Sequence, residues 1–371
     1  MSNLQQIISL MAKKAPHREA MDWDNVGIQI GDYQSEVKKV LVALDINEEV
    51  LQEAIEKDID LIITHHPLLF NGVDSIHSQT SKGRTIIKAI KNDIAVYSAH
   101  TNMDIAEGGL NDYLAEKLGV ENTEILSKDH KQKIYKLAVY VPEENVEVIK
   151  EAMFKKGAGQ IGNYSKTSFS SKGEGTFLPG ENTNPHLGKQ GEIKKVNEVK
   201  IETVVPENKV DNVVKKMLKV HPYEEVAYDI YELPLQSNYK GIGRIGYLKE
   251  ATSLKDYSET IKEVLDIKKL KIRGHLKDSI KKVAICSGAG ADFINLASAK
   301  GADLYITGDV KYHEAQQAEE LGLNLVDAGH FETEVIFKDM IYQYLKEKIE
   351  KENMELDIVI SEVVTNPWQY I

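Results

Sequence analysis

The sequence predicts an α/β protein made of two related halves, with a smaller α+β domain inserted between them. Two observations support this fold class: a strand–helix–strand pattern occurs twice, and a segment of different pattern separates the two copies. The chain has 371 residues, a length typical of two or three domains. Its composition, with 42% hydrophobic and 28% charged residues, is that of an ordinary globular protein.

The repeated pattern covers residues 40–66 and 283–309, which align without a gap. The first copy is "VLVALDINEEVLQEAIEKDIDLIITHH", and the second is "VAICSGAGADFINLASAKGADLYITGD". Each copy has an apolar strand, a helix with apolar residues three and four positions apart, and a second strand ending in Asp-Leu-x-Ile-Thr. A strand–helix–strand unit used twice predicts a largely parallel sheet with helices packed on it.

Each copy is followed by a further helix and by a strand that ends in a histidine and an acidic residue. The first of these strands runs into "AHTNMD", with His100 and Asp104, and the second into "GHFETE", with His330 and Glu334. Residues four positions apart lie on one face of a helix. Each imidazole and its carboxylate would therefore point the same way if the chain is helical there.

The segment between the copies, residues 129–237, predicts the inserted domain. It contains two strand–helix–strand units, with helices beginning near "PEENVEVIK" and "PENKVDNVV", which is typical of a ferredoxin-like α+β module. The polar stretch 163–195 within it predicts hairpins or a loop. Residues 1–128 and 238–371 would then form one discontinuous α/β domain.

The charge and the cysteine content exclude several classes of protein. A formal net charge of −12 argues against a general nucleic-acid or anionic-membrane binder, because such surfaces need clustered Lys and Arg. No apolar window approaches the length of a transmembrane helix, and the N-terminal apolar run lacks the basic segment of a signal peptide. The single cysteine, Cys286, excludes an intramolecular disulfide and fits a reducing compartment, so we expect a cytoplasmic protein.

Histidines and carboxylates follow the strands of both halves. His65 and His66 come directly after the second strand of the first copy, and the two His-x-x-x-acid pairs follow the next strands. Binding groups collect at the carboxyl ends of parallel strands, so these side chains can supply ligands for two divalent ions. Imidazole and carboxylate ligands without thiolate favour zinc, manganese or iron.

Each of these features also has an ordinary structural explanation. Two adjacent histidines can end a strand with one imidazole buried and the other exposed. A His-x-x-x-Glu pair is common on solvated helices. Both features nevertheless occur at predicted strand ends of a repeated unit, and this coincidence favours metal binding.

A turn that contains glycine is a candidate phosphate site. The stretch "VAICSGAGAD" places Ser287, Gly288 and Gly290 between a strand and a helix, where backbone amides can approach an anion. A tight strand-to-helix turn explains the same residues equally well, because neither the full dinucleotide-binding fingerprint nor a Walker lysine is present.

Two other stretches lie close to the predicted site. In "TGDVKYHEA", Lys311 could hold a phosphate and His313 could donate a proton, or both could lie on an exposed helix start. In "WDNVG", Asp24 and Asn25 suit a turn, and Trp23 suits the core or a subunit contact. We therefore assign no chemistry to this second stretch.

Four motifs resemble those of the GTP cyclohydrolase 1 type 2 homolog family, also called the Nif-three-like family. They are, in chain order, "WDNVGIQIGD", "ITHHPLLF", "AHTNMD" and "GHFETE". The resemblance covers essentially the whole chain. It includes "HPYEEVAYDIYEL" in the insert, which looks like the longer bacterial subtype carrying a PII- or CutA-like domain.

The resemblance implies a dinuclear metal centre, with two divalent ions per subunit, and assembly as a toroidal homohexamer. Carried over position by position, His65 and Asp104 would hold one metal and His66 and His330 the other. Glu334 would bridge the two. His100 would then lie outside the ligand set, as a candidate for proton transfer beside His313.

Two functional hypotheses follow. The first is a metal-dependent hydrolase of a nucleotide or a phosphorylated small molecule, which would either add water at purine C8 or hydrolyse a phosphoester. The second is a non-catalytic, metal-binding regulatory or interaction protein that uses the insert as a small-molecule sensor. A cavity with convergent polar groups beside the metals would favour the enzyme.

Overall fold

The computed structural model describes residues 2–128, 130–131, 133–234 and 239–369. The chain forms two compact units. The larger unit consists of Met1–His130 together with Lys240–Ile371, and the smaller unit is Lys131–Tyr239. The smaller unit is thus an insertion in the sequence of the larger one.

Twelve α-helices and nineteen strands cover most of the described residues. In chain order the helices are α1 (Leu4–Lys14), α2 (Glu48–Glu56), α3 (Ser81–Lys91), α4 (Thr101–Ile105), α5 (Leu110–Lys117), α6 (Val146–Phe154), α7 (Val210–Val220), α8 (Leu254–Val264), α9 (Ile294–Ala299), α10 (Tyr312–Glu320), α11 (His330–Glu334) and α12 (Phe337–Glu352). The strands are β1 (Ser2–Asn3), β2 (Gly27–Ile30), β3 (Glu36–Val37), β4 (Lys39–Ala43), β5 (Leu61–Thr64), β6 (Ala95–Ser98), β7 (Val120–Ile125), β8 (His130–Lys131), β9 (Ile134–Pro142), β10 (Phe169–Phe177), β11 (Lys194–Pro206), β12 (Tyr228–Leu233), β13 (Tyr239–Lys240), β14 (Arg244–Ser253), β15 (Lys271–Arg273), β16 (Ser279–Ile285), β17 (Leu304–Thr307), β18 (Asn324–Asp327) and β19 (Asp357–Ile360).

The first half of the larger unit forms a five-stranded sheet in the order β19-β4-β5-β6-β2. Its inner strands and β19 are parallel, and β2 is antiparallel to β6. The first crossover helix, α2, begins after Asn47, whose side chain accepts hydrogen bonds from the backbone amides of Glu49 and Val50. The predicted strand–helix–strand unit of this half is therefore confirmed.

The second half forms a separate six-stranded sheet in the order β15-β18-β17-β16-β14-β7. Only β16, β17 and β18 are parallel neighbours, and the other three strands pair antiparallel. The prediction of one largely parallel sheet was wrong. Strands from elsewhere in the chain flank each repeated unit, so each half has its own sheet.

The strands of the repeat bury both faces, which explains their unbroken apolar runs. In β4, Val40 and Val42 face a central core that also contains Val283 and Ile285 of β16. Their neighbours on the opposite face of β4 pack in a separate cluster with residues of α2. The central core thus joins the two halves of the larger unit.

A buried ion pair also fixes the larger unit. The Arg244 guanidinium, only 4% exposed, donates to both carboxylate oxygens of Asp112 in α5 and to the carbonyl oxygens of Ala106, Gly241 and Gly243. Because one side chain donates to all of these acceptors, its loss would leave a partly buried carboxylate and several carbonyls without this donor.

The smaller unit has the succession β9-α6-β10-β11-α7-β12 and an antiparallel sheet in the order β10-β11-β9-β12. This β-α-β-β-α-β succession is that of a ferredoxin-like module. The sheet and the two helices share their own hydrophobic core, which includes Leu137, Ile149, Ile201 and Met217. Within the described residues, no helix is long and apolar enough to cross a membrane.

Candidate metal centre

Two histidines follow β5 in the first half. The backbone amides of His65 and His66 both donate to the carbonyl oxygen of Leu44, at 3.1 Å each, which turns the chain at the end of the strand. The Thr64 hydroxyl donates to the carbonyl oxygen of His66 at 2.8 Å. These bonds hold both imidazoles at the carboxyl end of the sheet, where binding groups are expected.

A short helix follows β6 in the first half and β18 in the second, so the condition under which each histidine and its carboxylate share one helix face is met. Helix α4 begins directly after His100 and contains Asp104, while α11 begins at His330 and ends at Glu334. Both carboxylates are buried, Asp104 at 5% exposure and Glu334 at 4%. Although the two halves form separate sheets, their strand ends meet around these side chains.

The Glu334 carboxylate is the meeting point of the cluster. Its Oε2 atom lies 2.9 Å from Nε2 of His66 and 3.0 Å from Nε2 of His330, and these two nitrogens are 3.4 Å apart. The Nε2 atom of His65 lies 3.7 Å from Oδ1 of Asp104 and 3.7 Å from Oε1 of Glu334. The structure thus brings together all five residues that the family resemblance predicts as ligands.

One buried atom of the cluster, Nε2 of His65, makes no hydrogen bond within the part of the chain that the structure describes. A buried polar atom without a hydrogen bond is costly, and such atoms are usually satisfied by another ligand. A cation bound by the converging nitrogens and carboxylates would satisfy it, so the donor set fits a metal.

Four histidines surround the cluster: His65, His66, His100 and His330. In each of them Nδ1 forms a hydrogen bond with an oxygen atom that lies behind the ring. Nδ1 of His65 donates to the carbonyl oxygen of Ala99 at 2.8 Å. The other three face carboxylates: His66 faces Asp45 at 2.7 Å, His100 faces Asp24 at 2.9 Å, and His330 faces Asp309 at 2.7 Å. Because an oxygen acceptor fixes the proton on Nδ1, the Nε2 atoms remain for the cluster.

The neighbouring charges shift the ionisation of the cluster. Burial opposes protonation of His66, but the Asp45 and Glu334 carboxylates outweigh it and raise its pKa to about 10. The Glu334 carboxylate, against the effect of burial, raises the pKa of His330 to about 9. Burial likewise opposes ionisation of Glu334, yet the surrounding imidazoles hold its pKa well below the usual range. Without a cation, these imidazoles are therefore paired as cations with Glu334.

Two overlapping groups of side chains could hold a metal ion. One consists of His66, His330 and Glu334, and the other of His65, His66 and His100. The family resemblance instead puts His100 outside the ligand set, as a candidate for proton transfer. In the structure the centroid of its ring lies 5.1 Å from that of His65 and 5.5 Å from that of His66.

The glycine turn lies against the same cluster. The Ser287 hydroxyl donates to Oδ1 of Asp104 at 3.3 Å. The backbone amides of Ser287, Gly288 and Gly290 donate to side-chain oxygens of the protein at 2.9, 3.0 and 2.9 Å. Because these amides are engaged, the turn supports the cluster in this structure, and its role as a phosphate site stays a prediction.

The structure does not bring Lys311 and His313 into the cluster. Both are exposed at the start of α10, where the Lys311 amide donates to Glu314 at 2.7 Å and His313 contacts Gln316 at 2.9 Å. Both residues therefore lie on an exposed helix start, which is the alternative that the sequence left open for them. Proton donation by His313 and phosphate binding by Lys311 stay predictions.

The carboxylates that hold the histidines were not predicted from the sequence. No chemistry was assigned to Asp24, and neither Asp45 nor Asp309 was singled out as a partner of an imidazole. A signal was available for two of them, because Asp45 and Asp309 follow strands at the same carboxyl ends as the histidines. No comparable signal marks Asp24, which precedes β2 rather than following a strand of the repeat.

A cavity of about 610 Å³ opens beside the cluster. His66 and His330 line one side of it, and the C-terminal residues 365–369 line another. Its volume lies within the range of small-molecule sites, roughly 300–1,000 Å³. The cluster is therefore accessible to a ligand of small-molecule size.

Comparison with known proteins identifies the family. The family model for Duf34/NIF3 (NGG1p interacting factor 3) matches residues 2–367. This chain belongs to that family. The Duf34/NIF3 match covers both units, and it agrees with the resemblance carried by the four sequence motifs.

Individual relatives and structures agree with the Duf34/NIF3 assignment. The chain is 42% identical over 370 residues to a protein of Halalkalibacterium halodurans named GTP cyclohydrolase 1 type 2 homolog, with 100% of this chain and 99% of the relative covered. A Bacillus subtilis protein of the same name is 43% identical over 369 residues, with the same coverage. The crystal structure of a Bacillus cereus protein related to NIF3 superposes with a TM-score of 0.90 at 44% identity, covering 100% of this chain and 99% of that one. These names describe the relatives and leave the reaction of this chain open.

Proposed function

We propose that the chain is a dinuclear-metal-dependent hydrolase that acts on a nucleotide or a phosphorylated small molecule. His65 and Asp104 would hold one divalent ion and His66 and His330 the other, with Glu334 shared between them. Zinc is the metal we expect, with manganese or iron as alternatives. From the family resemblance we propose a homohexamer of toroidal shape, and from the single cysteine we propose a cytoplasmic location.

The observation that carries this proposal is the direction of the four imidazoles. In each one, Nδ1 is tied to an oxygen acceptor, and three of those acceptors are carboxylates. Histidines that bind metals are held by this kind of bond, which sets the ring orientation and raises the basicity of the other nitrogen. A purely structural histidine pair gives no reason for four rings to be held in this way.

Each side chain would have a defined task in the reaction. Two metals held this way would lower the pKa of bound water and polarise the bond under attack. Glu334 would be shared between the two positions, because Oε1 lies 3.7 Å from Nε2 of His65 and Oε2 lies near Nε2 of His66 and of His330. His100, held by Asp24 and next to the ligand rings, is placed to accept or return a proton at Nε2.

The cavity supports an enzyme over a non-catalytic protein. It borders His66 and His330, and polar side chains from several elements converge on it. A small molecule can therefore reach the atoms that would bind the metals, as catalysis requires. A closed cluster without such a cavity would have suited a structural or regulatory metal.

Metal analysis followed by an activity screen tests the proposal. The purified chain, Glu334→Ala and the control Glu320→Ala, which changes an exposed residue of α10, are compared for bound metal after reconstitution. Each is then assayed with a panel of nucleotides and phosphoesters. We expect metal and turnover in the parent and in Glu320→Ala, and a loss of both in Glu334→Ala. A parent protein that takes up no metal would refute the site, and equal turnover in Glu334→Ala would refute the catalytic role.

A further inference from the structure

We propose that the cavity beside His66 and His330 binds the planar ring of a nucleobase against Trp368. This inference rests on the proposed function and names the part of the substrate that lies in this cavity. It follows from the segment that lines the cavity, from the aromatic side chain presented there, and from the hydrogen-bonding groups of the lining.

The C-terminal segment is held firmly at the cavity. The Thr365 hydroxyl donates to the Asp45 carboxylate, the same group that holds His66. The side-chain amide of Asn366 donates to Oε1 of Glu332 at 3.0 Å. The segment is therefore tied to Asp45, which holds His66, and to Glu332 of α11.

Trp368, on this segment, is largely exposed although its backbone is held by a hydrogen bond. Its backbone amide donates to Oδ1 of Asn366 at 3.0 Å, so its position is fixed, yet the residue is 72% exposed. An exposed indole leaves a large apolar surface in water, and stacking on a planar ligand buries that surface. Stacking on aromatic side chains is how proteins commonly hold nucleobases.

The lining also offers hydrogen-bonding groups for the edge of a planar ring. The carboxylates of Asp309 and Glu332 and the side-chain amides of Asn366 and Gln369 border the cavity. A nucleobase carries donors and acceptors on its edge, so it can bond to such groups while its face stacks on Trp368.

The other tryptophan, Trp23, lies near the cluster together with Phe70 and serves as the comparison for Trp368. Trp23 and Phe70 are exposed, and their ring centroids lie 6.1 and 6.2 Å from that of His100. The chain has two tryptophans, so replacing one of them leaves the other as the only tryptophan whose fluorescence can report binding. Trp23→Phe leaves Trp368 as the reporter, and Trp368→Phe leaves Trp23.

The experiment titrates the full metal-loaded chain with the four ribonucleosides, which carry no phosphate. In Trp23→Phe we expect at least one nucleoside to quench the fluorescence of Trp368 saturably, and in Trp368→Phe we expect no change. Equilibrium dialysis with the same nucleoside should give a Kd about 10-fold or more weaker in Trp368→Ala, the usual effect of losing one stacking partner. Ribose, which carries no base, should not displace the nucleoside.

The opposite results overturn the proposal. These are no saturable quenching by any of the four nucleosides, quenching of Trp23 instead of Trp368, an unchanged Kd in Trp368→Ala, or displacement by ribose. Because this experiment measures binding and not turnover, its failure can be distinguished from a failure of the proposed function. Nucleoside binding at Trp368 without turnover refutes the hydrolase alone, and turnover that does not depend on Trp368 refutes this inference alone.

Discussion

Replacing Gly288 by alanine should abolish tight metal binding while the fold remains intact. Gly288 has a φ of +61°, and a Cβ built on it would lie 2.1 Å from Oε1 of Glu334 and 3.4 Å from Nε2 of His330. The first distance is far below any real carbon–oxygen contact. The side chain that must give way is the carboxylate that we propose as the shared ligand.

The size of the effect follows from these distances. The carboxylate oxygen must withdraw by about 1 Å to reach ordinary van der Waals contact, and Glu334 is only 4% exposed, so it has little room to move. Zinc–oxygen bonds are about 2.0–2.2 Å long and tolerate errors of only about 0.2 Å. Disturbing a group behind the ligands already weakens binding about 10–100-fold, so we expect at least that loss from displacing a ligand.

Gly301→Ala is the matched control. Gly301 also has a positive φ, +72°, but a Cβ there meets nothing within 4 Å. Both substitutions carry a left-handed strain of roughly 1–2 kcal/mol, which urea unfolding of the metal-free proteins would measure. Competition with a chromophoric chelator would then show weakened metal binding in Gly288→Ala alone. Parent-like affinity in Gly288→Ala would refute this arrangement of the cluster.

Three further predictions concern the surroundings of the cluster. Asp45→Asn should weaken metal binding about 10–100-fold with an unchanged circular dichroism spectrum, because it removes the carboxylate behind a ligand; full affinity would argue against that role. With pKa values raised to about 10 and about 9, His66 and His330 are protonated at pH 7, so metal binding should release about two protons from them and strengthen as the pH rises. Calorimetry in two buffers of different ionisation enthalpy measures this release, and a value near zero would contradict it. Arg244→Met should lower the free energy of unfolding by about 3 kcal/mol in urea titrations, because it breaks a buried ion pair. The exposed Arg84, paired with Glu48, is the control, and Arg84→Met should leave the free energy of unfolding close to that of the parent.

The sequence predicted the ligand-bearing elements because their signal is local. An apolar strand that ends in two histidines, or in a histidine four residues before an acid, carries its meaning within a few positions. The internal repeat then showed that these stretches occupy equivalent places in the two halves. For that reason the strand–helix–strand units could be predicted without a structure, and the two His-x-x-x-acid pairs could be placed at equivalent strand ends.

The division into two sheets could not be predicted, because the strands that cause it carry no such signal. β19 comes from the C-terminal end of the described chain and pairs with β4, while β14 and β7 lie on either side of the insert in the sequence and pair with each other. A pattern of alternating apolar residues does not reveal its partner when the partner is this distant.

The carboxylates behind the histidines were missed for a related reason. Asp45 is 21 residues from His66, and Asp24 is 76 residues from His100. An acidic residue after a strand is common in any α/β protein, and only its contact in the folded chain shows that it holds an imidazole. The residues that touch the proposed metals were therefore predictable, and those that position them were not.

The contacts around the cluster show that the side chains proposed as metal ligands also pack the two halves against each other. Glu334 of the second half lies against His65 and His66 of the first. Conversely, Asp104 and Asn111 of the first half accept hydrogen bonds from Ser287 of the second half, Asp104 from its hydroxyl and Asn111 from its amide. A ligand on one half can therefore keep its position only while the other half is in place. The repeat makes such an arrangement possible, because two equivalent sets of strand ends can face each other and each can supply what the other lacks.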